Sequence, residues 1–275
     1  MPLPTLLETK PRYCKICDNL APVYGVIDFS ETNNANAKLP KTGYLVTYNK
    51  CDTCGTLFSS SFDAWSPSDF SENIYNEYFQ IMDPPSITGE RGHACAQGVN
   101  RMFGCHKKSI SVLDYGGGRG FFADRLRELG FCQVESYDPY FGSSASIPSQ
   151  MFDLVTAFEV LEHAVHPLVT IKEICSKIKN PGALLFSTNV LPEHFDKIGM
   201  SWWYLNPRGG HVTLYTRESL MIAFRKVGFS VYSFDDTMHL AFKQLPDFAE
   251  RRVTYHRLGS FSRFGDAFRR LISRR

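Results

Sequence analysis

Three sets of residues in this chain have types and spacings that can do chemistry. The first is a pair of C-x-x-C motifs, Cys14-Lys-Ile-Cys17 and Cys51-Asp-Thr-Cys54-Gly55. Two thiolates at that spacing close on one metal ion across a tight turn, and two such turns complete a tetrahedral site. Four thiolates leave no open coordination position. The expected role is therefore a structural zinc that staples a small lobe lacking a core of its own. The second set is Asp114-Tyr115-Gly116-Gly117-Gly118-Arg119-Gly120, with Asp138 following 18 residues after the last glycine. Glycine turns let backbone approach a ligand, and an acid at that distance can reach a pair of ribose hydroxyls. The third is Trp202-Trp203-Tyr204-Leu-Asn-Pro-Arg208-Gly-Gly-His211. It offers flat apolar rings, a guanidinium able to grip a carboxylate or phosphate, and an imidazole able to take a proton from an alcohol. His163, directly after Glu162, is a second candidate base, and His194 a weaker third.

These residues need a frame. The apolar run Ile110–Leu113 reads as a strand ending in Asp114, and Phe121, Phe122, Leu126 and Leu129 recur at helical spacing until Gly130. Residues 132–137 read as a second strand, so strand, helix and strand make one βαβ unit of a parallel sheet. Residues 152–158 predict a third strand, 167–179 a helix ended by Pro181-Gly182, and 183–187 a buried strand. A helix over 216–227, capped by Thr216, precedes terminal strands at 229–234 and 239–242 that pair with each other. The expected fold class is α/β: a doubly wound, Rossmann-like domain over 86–245 with a small zinc-binding module and aromatic linker over 1–85. In the linker, Tyr75 and Tyr78 either pack the lobe onto the domain or form a lid facing the ligand. Residues 246–275 hold eight arginines against three acids, with Phe261, Phe264, Phe268, Leu271 and Ile272 at helical spacing. That basic amphipathic tail either docks on the domain or makes peripheral contact with an anionic membrane.

Composition narrows the function classes. Net charge is +2 over 275 residues, so no global field selects a partner. The lysines of the cysteine module are dispersed, which argues against nucleic acid. No apolar run approaches the roughly 20 residues of a membrane span. The N-terminus lacks a basic segment followed by an apolar one, and two of the cysteine pairs suit a metal rather than disulfides; the expected location is cytoplasmic.

Two readings of the glycine turn compete. Gly118-x-Gly120-x-x-Ala123 fits a dinucleotide fingerprint, but taken alone that fit is weak. An acid two residues before the first glycine would repel a pyrophosphate and suits an ammonium group. With Val112-Leu-Asp-Tyr-Gly-Gly-Gly-Arg-Gly120, Asp138 and Phe152-Asp-Leu-Val-Thr-Ala-Phe-Glu-Val-Leu-Glu-His163, the sequence resembles class I S-adenosylmethionine-dependent methyltransferases. The resemblance implies that Asp114, Tyr115 and the backbone of Gly116, Gly118 and Gly120 hold the methionine part of S-adenosylmethionine. It implies further that Asp138 holds the ribose, and that Phe158 and Glu159 flank the cofactor. One departure stands out: only 13 residues separate Asp138 from Phe152, where the family usually inserts another strand and helix. The acid that often contacts the adenine is therefore not identifiable, and Tyr140 or Phe141 is a candidate to stack on the ring instead.

The cysteine module, tyrosine-rich linker and class I domain together also resemble bacterial sugar-modifying methyltransferases. That looser resemblance implies a small-molecule or lipid-linked saccharide acceptor. Trp202, Trp203, Tyr204, Arg208, Tyr75 and Tyr78 are then substrate-binding candidates, and His211 and His163 catalytic ones. O-methylation of a hydroxyl in surface-glycan or other sugar biosynthesis is the expected reaction. C-methylation of a keto-sugar nucleotide is one alternative, although the large C-terminal domain of those enzymes is absent. A zinc-dependent binding module with a vestigial cofactor site is the other.

Overall fold

The structure, a computed structural model, describes residues 10–32, 39–141 and 146–257. Strands β1 (Arg12–Tyr13) and β2 (Leu20–Ala21) form a short hairpin around the first cysteine pair. Strands β3 (Val23–Asp28), β4 (Leu45–Lys50) and β5 (Leu57–Phe58) are antiparallel, and the second pair occupies the turn between β4 and β5. The aromatic linker breaks into α1 (Pro67–Asn73), α2 (Glu77–Met82) and α3 (Pro84–Ile87). Helix α1 starts where Ser66 and Asp69 form a reciprocal capping box over Pro67.

The α/β domain opens with α4 (Glu90–Phe103), followed by β6 (Ser111–Tyr115), α5 (Phe121–Glu128), β7 (Gln133–Tyr137) and β8 (Phe152–Phe158). It continues through α6 (Pro167–Cys175), β9 (Ile178–Ser187), the short α7 (Phe195–Ile198), β10 (Thr213–Leu214) and α8 (Arg217–Lys226). Strands β11 (Ser230–Ser233) and β12 (Met238–Phe242) and helix α9 (Asp247–Arg257) complete it. The sheet order is β11-β12-β9-β8-β6-β7. Strands β6 to β9 are parallel, while β12 and β11 run antiparallel, so the sheet is mixed rather than wholly parallel. Side chains alternate along the strands. Val112, Leu154, Leu185 and Leu240 pack against α4, α5 and α9, and Leu113, Val155, Leu184 and Ala241 against α6 and α8. Each face of the sheet thus carries its own core.

Three expectations change. The helix expected over 167–179 ends at Cys175, and Pro181-Gly182 lies inside β9, at a register shift against β8. Among the described residues no strand intervenes between β7 and β8, which leaves β7 at the sheet edge. The cysteine lobe also extends beyond residues 1–85. Its four-stranded sheet has the order β10-β5-β4-β3, so Thr213 and Leu214 pair with Phe58 and Leu57. Cys14, Ile16, Cys54 and Phe58 share a continuous core with Tyr215, Leu220 and Phe224. A lobe this small has too little apolar surface to close a core alone, and the later segment supplies it. Lys15 adds a polar tie, donating to Ser59 O at 2.9 Å and Val165 O at 3.0 Å.

The start of the tail docks on the domain: Ala249 and Val253 are buried, and Arg252 donates to the carbonyls of Met102 and Arg101. The amphipathic stretch from Phe261 to Ile272 lies outside the described residues. No helix among the described residues is long and apolar enough to cross a membrane.

Thr216 joins lobe and domain at one atom. Its hydroxyl accepts from Ser219 N at 3.0 Å, capping α8, and donates to Cys54 O at 2.6 Å. Thr216→Val is expected to lower stability by about 1–2 kcal/mol in urea unfolding, and Thr216→Ser to retain most of it.

Candidate active site

A cavity of about 430 Å³ opens at the C-terminal ends of β6, β7 and β8, where parallel strands of an α/β sheet place their loops. Its floor is the glycine turn. Gly116, Gly118 and Gly120 adopt φ of +75°, +55° and +83°, conformations that side chains rarely allow. Gly117 is needed for a different reason: a Cβ there would stand 2.2 Å from Asp114 Oδ2 and from Ser136 Oγ. The turn therefore lies directly on the Asp114 carboxylate.

Register explains how Asp114 is held. It sits opposite Ser136 on β7 and Thr156 on β8, and both hydroxyls are 3.3 Å from its carboxylate oxygens. Asp114 is almost wholly buried. Burial pushes its carboxyl up to about 7; the hydroxyls of Ser136 and Thr156 pull it partly back, and nearby Asp138 adds to the rise. Asp138 closes β7. It accepts from Gly118 N at 2.8 Å, Tyr140 N at 2.7 Å and Phe141 N at 2.9 Å, so one carboxylate fixes the glycine turn and the following loop together.

Phe158 and Glu159 lie on the wall formed by the end of β8. Glu159 has φ of +54°, a strained backbone for a residue with a side chain. The Ser187 hydroxyl on the neighbouring strand holds it in place, accepting from Glu159 N at 2.9 Å and donating to Oε1 at 3.0 Å. Tyr115 is also at the cavity, with its phenol committed to Glu173 of α6. His163 and His211 face the same cavity from two different segments, their ring centroids 5.0 Å apart.

The aromatic candidates divide. Tyr75 lines the cavity and stacks within 4.7 Å of Tyr140 and 5.8 Å of Phe141, giving a ring cluster over the loop after β7. Tyr78 does not line it; its ring covers the Arg208 guanidinium. Arg208 is buried and donates to Ile74 O and Asn76 Oδ1, so it ties the linker helices to the domain instead of gripping a ligand. Trp202 and Tyr204 are buried in the core of the cysteine lobe with Phe195 and Leu214, and Trp203 packs at that core's edge. The expected aromatic platform at 202–204 is thus corrected. Those rings fill the space between lobe and domain, and the rings that line the cavity include Trp65, Phe70, Tyr75, Tyr140 and Phe141. His194 precedes α7 and is not among the cavity-lining residues.

Two lining residues lacked a sequence signal. Arg91 of α4 forms a bidentate, buried ion pair with Asp83, the residue before α3. Its Nε has no hydrogen-bond partner, which leaves a buried donor beside the cavity. Nothing in the spacing of an arginine in α4 and an acid eight residues earlier, in the junction between α2 and α3, marks such a pair.

The four cysteines converge. The sulfur atoms lie within 4.8 Å of one another, with Cys14 and Cys54 3.5 Å apart and Cys17 and Cys51 3.4 Å apart. Each pair closes a tight turn: Asp18 N bonds Cys14 O, and Gly55 N bonds Cys51 O. The donor set and its burial fit a tetrahedral thiolate site for zinc.

Residues 87–233, which carry the glycine turn and the acid-ended strands and make up more than half of the chain, match the methyltransferase domain family, and the chain belongs to that family. It is an S-adenosylmethionine-dependent methyltransferase. Similar solved structures include a possible histamine N-methyltransferase from Thermotoga maritima, 16% identical over 65% of this chain and 100% of that one, with a TM-score of 0.39. An O-methyltransferase family protein from Burkholderia thailandensis is 16% identical, over 57% of this chain and 59% of its own, with a TM-score of 0.41. The mitomycin 7-O-methyltransferase is 16% identical, over 66% and 62%, with a TM-score of 0.44. The match thus spans less than two thirds of the latter two proteins. No curated protein matches the chain.

A buried acid at the cavity floor would make the binding of a cationic ligand there sensitive to pH. Between the ordinary carboxylate range and about 7, the folded chain keeps a proton on Asp114 that the unfolded chain releases, so Asp114 lowers stability as pH rises through that window. A ligand carrying an ammonium favours the ionised form. S-adenosylhomocysteine affinity is therefore expected to rise with pH up to about 7 and then level, with proton release at lower pH. Asp114→Asn should flatten that profile, weaken binding by about tenfold or more, and raise the melting temperature of the unliganded protein at pH 8. Calorimetry in buffers of different ionisation enthalpy reads all but the last.

Proposed function

We propose that the chain transfers the methyl group of S-adenosylmethionine to a hydroxyl of a saccharide, free or lipid-linked, and that zinc in the four-cysteine site holds its N-terminal lobe. The carrying observation is the pairing, in one cavity, of an aromatic wall with two imidazoles. Trp65, Phe70, Tyr75 and Tyr140 present flat apolar faces of the kind that pack on the C–H faces of sugar rings. His163, its ring 6.3 Å from that of Tyr75, and His211 line the same cavity, and either imidazole would take a proton from an acceptor hydroxyl bound there. A sugar hydroxyl is poorly acidic, so alignment alone is not enough and a group that handles its proton is required.

The residues that would hold the cofactor line the same cavity: Asp114 and the Arg91 Nε donor would take the ammonium and carboxylate of its methionine part over the glycine turn, Asp138 its ribose, and Tyr140 and Phe141 its adenine. The acceptor then enters past Tyr75. When bound, the cofactor supplies the electrophilic methyl carbon. The protein supplies desolvation, alignment and control of the acceptor's proton.

Incubating the enzyme with S-adenosylmethionine and a panel of saccharide acceptors, with mass spectrometry and product NMR, tests this reading. Methyl ethers on sugar hydroxyls are expected. Methyl on carbon, seen only with a keto-sugar nucleotide, would replace the reading with C-methylation. His211→Gln is expected to bind S-adenosylhomocysteine within a few-fold of the parent and to lose about 100-fold or more in kcat. Unchanged turnover would remove His211 from the mechanism. Cys51→Ser, or chelation of the zinc, is expected to lower the melting temperature sharply and to release one zinc per chain, read by a chromogenic chelator.

A further inference from the structure

The two imidazoles do not stand alone. Glu162, in the turn that follows β8, places its carboxylate beside them, and one ligand atom from each of Glu162, His163 and His211 lies within 4.8 Å of the others. The three residues come from two segments 48 residues apart, so neither local turn geometry nor helix spacing brings them together.

Glu162 is fully buried. Its Oε1 accepts from the Tyr204 phenol, but its Oε2 has no hydrogen-bond donor. Burying a carboxylate oxygen without a donor costs several kcal/mol, of the order expected for an isolated buried charge, unless a cation or a proton compensates it. Burial, and next the charge of Glu159, push this carboxyl well above the carboxylate range. His211 is orientated from behind. Its Nδ1 is 2.6 Å from Tyr204 O, so that nitrogen carries the proton and Nε2 keeps the lone pair. Tyr204 therefore sets both groups, the carboxylate through its phenol and the imidazole through its carbonyl. Gly210 keeps the approach narrow, since a Cβ there would stand 2.8 Å from His163 Nδ1. A second carboxylate is at hand in Glu159, which shares the Tyr204 phenol at 3.3 Å.

We propose that Glu162, His163 and His211 bind a divalent first-row transition-metal ion of the manganese–iron–zinc class, which takes the acceptor hydroxyl in an open coordination position. Two imidazoles and one carboxylate on one side of an ion leave positions free, and nitrogen donors favour these ions over magnesium or calcium. The ion binding stands on geometry alone; the hydroxyl role rests on the proposed O-methyl transfer. Bound to the ion, the hydroxyl loses its proton to water at the cavity mouth. Its oxygen forms the new O–CH₃ bond as the CH₃–S bond breaks, the electron pair stays on sulfur, and the products are a methyl ether and S-adenosylhomocysteine. His163 and His211 then serve as ligands, and the ion, rather than a free imidazole, makes the hydroxyl acidic.

Manganese(II) suits the test, because it is a poor competitor for four thiolates and its free form is counted by electron paramagnetic resonance. Titrating the full chain, with zinc in the cysteine site, is expected to show one bound Mn²⁺ per chain, weakened tenfold or more in both Glu162→Gln and His211→Gln. No binding, or equal binding in the two folded variants, would overturn the site. S-adenosylhomocysteine affinity near the parent's shows that a variant is folded. Should either variant fail to fold, the parent decides. Bound Mn²⁺ is expected to broaden the methyl resonance of bound S-adenosylmethionine, and a bound ion that leaves it sharp overturns the proposal. The two readings fail separately. Methyl ethers formed by a chain that binds no ion remove the metal site and leave the O-methyl reading, whereas an ion bound as described with methyl found only on carbon does the reverse.

Discussion

The phenol of Tyr204 is shared by two carboxylates, Glu159 and Glu162, and the cavity's reactive end depends on that contact. Both acids come from the turn after β8, and the tyrosine from a segment that continues into the lobe's own sheet as β10. The same segment returns His211 to the cavity, with His211 O accepting from the Tyr48 phenol of β4 and Val212 N donating to Glu162 O. Lobe, linker and domain therefore meet at one buried point. A change in how the cysteine lobe sits would move His211, although the four clustered cysteines do not line the cavity. A metal in the cysteine site, as proposed, would then act on the cavity through packing alone.

The missing strand has its own effect on the cavity. Because β7 is the sheet edge, with no strand or helix among the described residues between it and β8 to cover the loop after Asp138, Tyr140 and Phe141 are more than a third exposed. The linker helices cover part of that gap. Tyr75, which follows α1, packs on both rings, and Phe70 of α1 reaches Tyr140 at 6.4 Å. The N-terminal region thus covers the sheet edge at the loop after β7, beside the cavity. Arg208 fixes this cover in place by bonding Ile74 and Asn76 at the end of α1 and the start of α2.

What could be read from the sequence was local. The glycine turn, the strand into Asp114, the strand at 152–158 and the cap at Thr216 follow from spacing over a few residues, and each formed where the spacing put it. Asp138 was legible because an acid at the end of the next parallel strand faces the same crevice. The 202–211 segment was not. Tryptophan, tyrosine and arginine suit a binding surface and a buried interface equally well, and only the tertiary arrangement shows which side of a ring meets solvent. Trp202 and Tyr204 are spent on packing because a lobe closed by cysteines lacks the apolar surface to pack alone. Arg91 and Asp83 were invisible for a related reason, since ion pairs between separate segments carry no spacing rule.

Glu162 and His163 illustrate how a legible motif can be read at too short a range. Inside Phe152–His163 they look like the end of a strand motif, with His163 as a second candidate base. The structure adds His211 from far along the chain and removes the usual compensation for a buried acid, leaving Glu162 Oε2 without a donor. A fold that buries Asp114 and pushes its carboxyl up to about 7 uses the same device twice. In each case a carboxylate is held out of water until a cation arrives, the ammonium of the cofactor at one end of the cavity and a metal ion at the other. The two sites would then fill in the sense that favours reaction, because each bound cation compensates a buried acid while the substrate groups it brings are aligned across the gap between them.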